Sequence, residues 1–357
     1  MQDTRENLGW LVENADSIIR YRTATELFRE FHGNEVKALK KDLLSNSFVQ
    51  LWLSNLHQNF DGNMIHSGKS EAFENAMGKL YEFGLRKGEK ILDEKTEPFR
   101  CWLAKQLSLP NEGYFPVFHR TLVAAFLSMT GYFHDDAVKK MILKRLETIY
   151  PFAKKGDLNN VYIPQDSFPG FPKSFRNYPL LNPDLHPNDE VKLPWIHDVN
   201  AFLHSPFMMD DTELRRKVET IIAFIFKPEY QKLHPGYGVI RKGPGKYYVM
   251  GWSIHLPGYF KSSVQPKDFG HFLLMLNLMS RSRTAREHPW FKRSFSFLEN
   301  FKVENDLIMF PRGFLPEKRS GYWVTGARMG LEPNRRAQKA LKCESTFRYL
   351  EIATRVI

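Results

Sequence analysis

Two distant segments of the chain share one pattern: a helix-forming run that ends in a polar turn and leads into a short apolar piece. WLSNLHQNFDGNMIH (52–66) aligns without gaps to FLENFKVENDLIMFP (297–311). Trp52 matches Phe297 as an aromatic, and Leu53, Asn55, Asp61 and Met64 match Leu298, Asn300, Asp306 and Met309 identically. FIFKPEYQKLHPGYGVI (224–240) and LETIYPFAKKGDLNNVYI (146–163) repeat the theme more loosely. A helical unit of this kind buries its apolar face only against a neighbouring copy, so the repetition commits the chain to stacked helical pairs.

The local pattern agrees over residues 1–150. Asp16 is placed to cap a helix whose apolar stripe is Ile19, Ala24, Leu27, Phe28 and Phe31. Ser70 is expected to cap another, with Phe73, Met77, Leu80 and Gly84 at helical spacing. Gly131 stops a further helix and Asp135 or Asp136 starts the next. Residues 151–206 differ, because nine of the 21 prolines fall there among many Phe and Tyr. So long an irregular stretch, and so aromatic, reads as a loop packed over a surface or a cavity mouth. In residues 207–357 helices return at Asp211 or Thr212, at FGHFLLMLNLMS, near Pro289 and in the closing NRRAQKALKCESTFRYLEI. Between them, GYGVIRKGPGKYYVMGWSIHL reads as two short strands about the turn Lys242–Lys246.

Composition narrows the class. Hydrophobic residues make up 42% and charged residues 25%, the mix of a folded globular protein and not of a disordered one. No run approaches the ~20 apolar residues of a membrane helix. The N-terminal MQDTRENLGW has no signal-peptide pattern, and the only cysteines are Cys101 and Cys343, so a cytoplasmic protein without a disulfide framework is expected. The net charge of +11 is uneven: residues 281–357 hold 16 Lys and Arg against 8 Asp and Glu. Such a region is either a solvated basic face or a surface for an anionic substrate or nucleic acid.

The segment Trp52-Leu53, Gln58, Gly62, Met64 resembles the repeat of α/α-toroid proteins of the terpenoid-cyclase and protein-prenyltransferase type: an aromatic-aliphatic pair, then Gln, then Gly-x-Trp. Here the gap from Leu53 to Gln58 is four residues where three are expected, and Met64 stands in the Trp position. The resemblance implies a mainly α single domain over 1–357, an α/α toroid of helical hairpins closing on a central cavity, with short β-hairpin insertions. It implies an isoprenoid-like or other small substrate in an aromatic cavity roofed by the 151–206 loop and the 238–256 hairpin. Two alternatives remain: a glycan-acting toroid enzyme using carboxylates such as Asp61 and Asp198, and a non-enzymatic HEAT-like scaffold binding nucleic acid or an acidic partner through its basic C-terminal region.

Candidate site residues follow from these readings. In MMDDTE, Asp210, Asp211 and Thr212 match the end of the Asp-x-Asp-Asp-Thr acid motif of class II terpenoid cyclases, with Met208 in the first aspartate position; the same aspartates also suit a helix cap. LPWIHDVN joins Trp195, His197 and Asp198, and YYVMGWSIHLPGY gathers Tyr247, Tyr248, Trp252, His255 and Tyr259. Asp210, His197, Asp198 and His255 are the catalytic candidates. Trp195, Tyr247, Tyr248 and Trp252 are the aromatic wall of a substrate pocket. Trp323, Arg335 and Arg336 extend the binding set, with Arg335, Lys339 and Lys342 on one face of the closing helix as a phosphate stripe or a wet face. There is no P-loop, no GxGxxG, no GxSxG and no Cys/His cluster with zinc spacing, so no metal is expected and no cofactor is specified.

Overall fold

The computed structural model describes residues 2–28, 30–57, 64–109, 113–168, 170–261 and 263–356. Helix accounts for 62% and strand for 5%, which makes the chain mainly α with one small sheet. Its contacts divide it into two units, residues 1–97 with 260–357, and residues 98–259. Gln58, Asp61 and Gly62 lie outside the described residues. Among the described residues no helix is long and apolar enough to cross a membrane.

The first unit opens with α1 (Gln2–Asn14) and α2 (Ser17–Arg22). Asp16 caps α2 as expected, accepting the Ser17 amide at 2.7 Å. The single helix expected through Phe31 does not form; α2 passes into a π-helical turn, Thr23–Phe28. Thr25 Oγ1 donates back to the Tyr21 carbonyl at 2.8 Å, a side-chain bond that loosens helical winding. The wider turn carries Glu26, which pairs with buried Arg22 and with Arg86, each at 2.7 Å. Next come α3 (Asn34–Ser45), α4 (Ser47–Asn55), α5 (Phe73–Glu82) and α6 (Lys90–Leu107), the division between units falling within α6. The residue before α5 is Ala72 and not Ser70; the Ser70 hydroxyl instead accepts from Arg328 at 3.2 Å.

In the second unit, α7 (Tyr114–Met129) is buried on nearly every side and packs against α8 (Asp136–Lys155). The turn between them uses Gly131 at φ +101° and starts α8 from Asp135. The proline-rich segment then contributes β1 (Tyr162–Ile163) and β2 (Leu180–Leu181), which join β3 (Val239–Gly243) and β4 (Lys246–Val249) in a sheet of order β1-β2-β3-β4. Phe168, Phe171, Phe175 and Tyr178 pack on Leu180, Val239 and Tyr247. This partial burial orders the segment, contributing about 25 cal/mol for each Å² of apolar surface removed from water. The helices α9 (Ile196–His204), α10 (Pro206–Asp210), α11 (Thr212–Ile225) and α12 (Pro228–Gln231) complete the unit, α9 lying against α7.

The chain re-enters the first unit with α13 (Phe269–Met279), α14 (Arg283–Glu287), α15 (Pro289–Glu299) and α16 (Gln338–Val356). The repeat copy at 297–311 has the expected form: α15 ends, a turn follows, and Met309 N–H bonds back to the Phe301 carbonyl at 3.0 Å. Its Phe297, Phe301 and Phe310 all meet Phe269 of α13, with ring centroids 5.0–6.5 Å apart. Because α16 begins at Gln338, Arg335 precedes the helix and does not share a helical face with Lys339 and Lys342.

Candidate functional site

In the second unit, Trp195, His197, Asp198 and Trp252 come together. Asp198, in the first turn of α9, accepts the Trp195 amide at 2.9 Å and so closes the helix start. Arg145 of α8 forks onto the same carboxylate, Nε and Nη2 donating at 2.9 and 3.0 Å, and its guanidinium lies 4.4 Å from the Trp195 ring centroid. Burial pulls the Arg145 pKa down, but the Asp198 carboxylate and that of Glu190, 3.5 Å away, together outweigh it and hold the value above normal. The void beside this pair is about 10 Å³, room for at most one water. His197 is wholly buried, edge-on to Phe118, Phe126 and Trp252 at 5.4, 6.1 and 5.9 Å. Consecutive helix residues point about 100° apart, so His197 and Asp198 have separate surroundings.

His255 is a brace in the same unit. Its Nε2 lies 2.8 Å from the Leu233 carbonyl and its Nδ1 2.9 Å from Ser253 Oγ. A carbonyl only accepts, so Nε2 carries the proton and Nδ1 accepts from Ser253. The ring stacks over Tyr230, whose hydroxyl meets that of Tyr237 at 2.5 Å; Tyr237 donates to the Pro194 carbonyl at 2.6 Å. Tyr247 and Tyr248 alternate across β4, Tyr247 packing on Phe171 and Tyr248 standing exposed against Phe115. Asp210 is exposed at the end of α10, and Asp211 caps α11 by accepting from the Glu213 and Leu214 amides, both at 2.9 Å. The cap reading of MMDDTE is the one realised.

The first unit buries a second set of polar side chains. α5 is buried all round, yet it carries Glu74, Asn75, Lys79 and Glu82. Asn75, Lys79 and Glu82 are held by hydrogen bonds to other parts of the unit. Glu82 pairs with Arg348 of α16 at 2.6 Å. Lys79 meets Glu317 at 3.1 Å and lies 5.1 Å from the rings of both Phe48 and Phe83. Burial lowers the Lys79 pKa against the opposing pull of Glu317. Asn75 Oδ1 accepts the Trp323 amide at 2.7 Å, and Gly78 lets the Trp323 ring lie on the helix backbone.

Glu74 differs in its partner. Its buried carboxylate lies 2.7 Å from Nδ1 of His66, whose side chain is 18% exposed. The His66 ring is stacked on Tyr322, with centroids 4.9 Å apart and planes within 17°. Burial raises the Glu74 pKa, and the contact with His66 opposes that rise. A histidine that reaches the surface, held by a buried carboxylate and backed by an aromatic ring, is suited to proton transfer.

Two loops frame this pair, and one residue ties them. The buried Arg328 guanidinium donates to the carbonyls of Gly68 (3.0 Å), Lys318 (3.0 Å), Arg319 (3.2 Å) and Gly321 (3.2 Å) as well as to Ser70. The Gly321 amide donates to the Gly68 carbonyl at 2.8 Å. Trp323 is buried beside this framework, and Arg336 is exposed, its carbonyl accepting from Arg312. Arg335 is a brace: it forks onto Glu344 at 2.9 and 2.8 Å. Among the described residues no three His, Cys, Asp or Glu side chains group to hold a metal ion. His66 and Glu74 were not candidates in the sequence, where the one legible trace is the polar stripe Glu74, Asn75, Lys79, Glu82 on an otherwise apolar helix. Comparison with family models, curated proteins and solved structures finds no match to this chain.

Proposed function

We propose that this protein is an α/α-toroid-type enzyme of the terpenoid-cyclase and prenyltransferase kind in architecture, acting on a small substrate by acid–base chemistry at His66. The observation that carries the reading is the 2.7 Å contact between partly exposed His66 and buried Glu74, with Tyr322 stacked on the imidazole. The helical content and the helix–turn–extended repeat support the architecture. With Nδ1 facing Glu74, Nε2, across the ring, is the nitrogen left to exchange a proton with a substrate. The second unit's Trp195, His197, Asp198, Trp252 and His255 act in this reading as framework, because Arg145 forks onto Asp198, His255 is held by Leu233 and Ser253, and His197 is wholly buried edge-on among aromatic rings.

The test is depletion of small molecules from a metabolite extract, followed by mass spectrometry, with wild type, His66→Ala and Glu74→Gln in parallel. Consumption by wild type that falls at least 100-fold in His66→Ala supports the reading. Equal consumption by wild type and His66→Ala, or none by wild type, overturns it.

A further inference from the structure

The loops around His66 carry an excess of positive charge that the fold does not neutralise. Lys69, Lys318 and Arg319 are exposed, and none is in an ion pair among the described residues. Arg328 beneath them is 1% exposed, and all its hydrogen-bond acceptors are neutral: four backbone carbonyls and the Ser70 hydroxyl. A buried charge is ordinarily matched by an opposite one. Glu317, Glu71 and Glu74 attract Arg328 through space without hydrogen-bonding to it, and two of them have other partners. Glu317 accepts from Lys79 and from the Gly330 amide, and Glu74 faces His66. Among the described residues only Glu71 remains on this rim as an exposed carboxylate.

We infer that loops 66–70 and 318–322 hold an anionic group of the ligand, a phosphate or a carboxylate, beside His66. The inference rests on the acid–base reading for its chemistry but not for its test. Arg328 supplies a fixed positive charge below the site and immobilises both loops, so Lys318 and Arg319 are anchored at their backbone before any ligand arrives. Preorganisation of this sort lowers the ordering cost that a loose surface lysine pays on binding. Ser67, Ser70 and Ser320 add hydroxyls to the same two loops. An anion here compensates Arg328 and brings the attached substrate to the imidazole. A wholly solvated basic face would have no need of a buried guanidinium braced on five acceptors.

The experiment needs no turnover. Inorganic phosphate, malonate and glucose are titrated into the full chain by calorimetry, and the His66 Cε1–H resonance is followed, assigned by its loss in His66→Ala. Expected are saturable binding of phosphate or malonate, a shift of the His66 resonance, and no binding of glucose. Phosphate alone assigns the site to a phosphoryl group, and malonate alone to a carboxylate. Lys318→Gln combined with Arg319→Gln, both surface changes, weakens the anion at least 10-fold. Absence of saturable anion binding, glucose binding as tight as either anion, or an unaffected double variant overturns the inference. His66→Ala retains calorimetric anion binding, so a failure of the acid–base reading leaves this result standing. Conversely, lost anion binding leaves the metabolite-depletion test of His66 untouched.

Discussion

A Cβ placed on Gly78 would lie 2.4 Å from Cγ of Trp323, with a second ring carbon at 2.5 Å. Two effects compete when Gly78 becomes alanine. Helix propensity favours the change by about 1 kcal/mol, whereas overpacking a close contact costs about 1–3 kcal/mol. The Trp323 ring has little room to retreat, since it lies edge-on to Tyr81 and its amide is fixed by Asn75. Overpacking wins, and Gly78→Ala is expected to lower stability by about 2 kcal/mol, measured as the midpoint of urea unfolding. An unchanged or higher midpoint means that the ring swings aside.

Glu332 provides a pH dependence. Burial raises its pKa from 4.5 to about 7, while the Asp16 amide, donating at 2.9 Å, acts the other way. The Asp16 and Glu344 carboxylates raise it further, and Arg20 lowers it. An acid whose pKa rises on folding favours the fold only while protonated. Its contribution is complete below 4.5 and is lost as pH climbs through 7. The loss amounts to about 3 kcal/mol. Glu332→Gln stays neutral, so its stability should exceed that of wild type by more at pH 8 than at pH 4 by about that amount. Parallel stability curves from urea unfolding would show that ionised Glu332 is accommodated without cost.

Asp198→Asn removes the nearer of the two carboxylates facing buried Arg145, Asp198 and Glu190, while keeping the side chain's size. Breaking a buried ion pair from one side costs about 3–5 kcal/mol. The variant should therefore melt well below wild type in thermal unfolding followed by circular dichroism. A variant that melts with wild type but loses a catalytic activity would move Asp198 from the framework to the chemistry.

The two aspartates of MMDDTE should separate cleanly. Asp211→Ala removes the acceptor of two amides at the start of α11 and should cost about 1 kcal/mol. Asp210→Ala, at an exposed position, should stay within about 0.5 kcal/mol of wild type. Chemical denaturation of both variants measures the difference; equal losses would mean that Asp210 has a structural partner in solution.

Local signals were readable and distant ones were not. Asp16 and Asp211 cap helices with their side chains, Asp135 holds the position before α8 without a capping side-chain bond, Gly131 turns the chain and the Lys242–Lys246 segment closes a hairpin, each an effect acting over a few residues. Ser70 misled because its hydroxyl serves Arg328, 258 positions along the chain. Arg335 misled because its carboxylate partner Glu344 holds it ahead of α16. The candidate pair His66 and Glu74 was illegible for a different reason. Glutamate and lysine on one side of α5 have the composition of a wet helical face, and only packing reveals that α5 is enclosed. His197 and Asp198, both catalytic candidates, show the converse: adjacent in sequence, they have separate surroundings on the helix.

Arg328 reaches the Gly68 carbonyl across 260 residues of chain. At roughly 5–20 residues per second of synthesis, the interval between these two residues leaving the ribosome is roughly 10–50 s. Throughout it the loop bearing His66 lacks the guanidinium that fastens it, and a nascent chain stopped anywhere before Arg328 carries the imidazole without its setting. The birth order of the polypeptide thus makes the surroundings of His66 and Glu74 one of the last parts of the first unit to be completed.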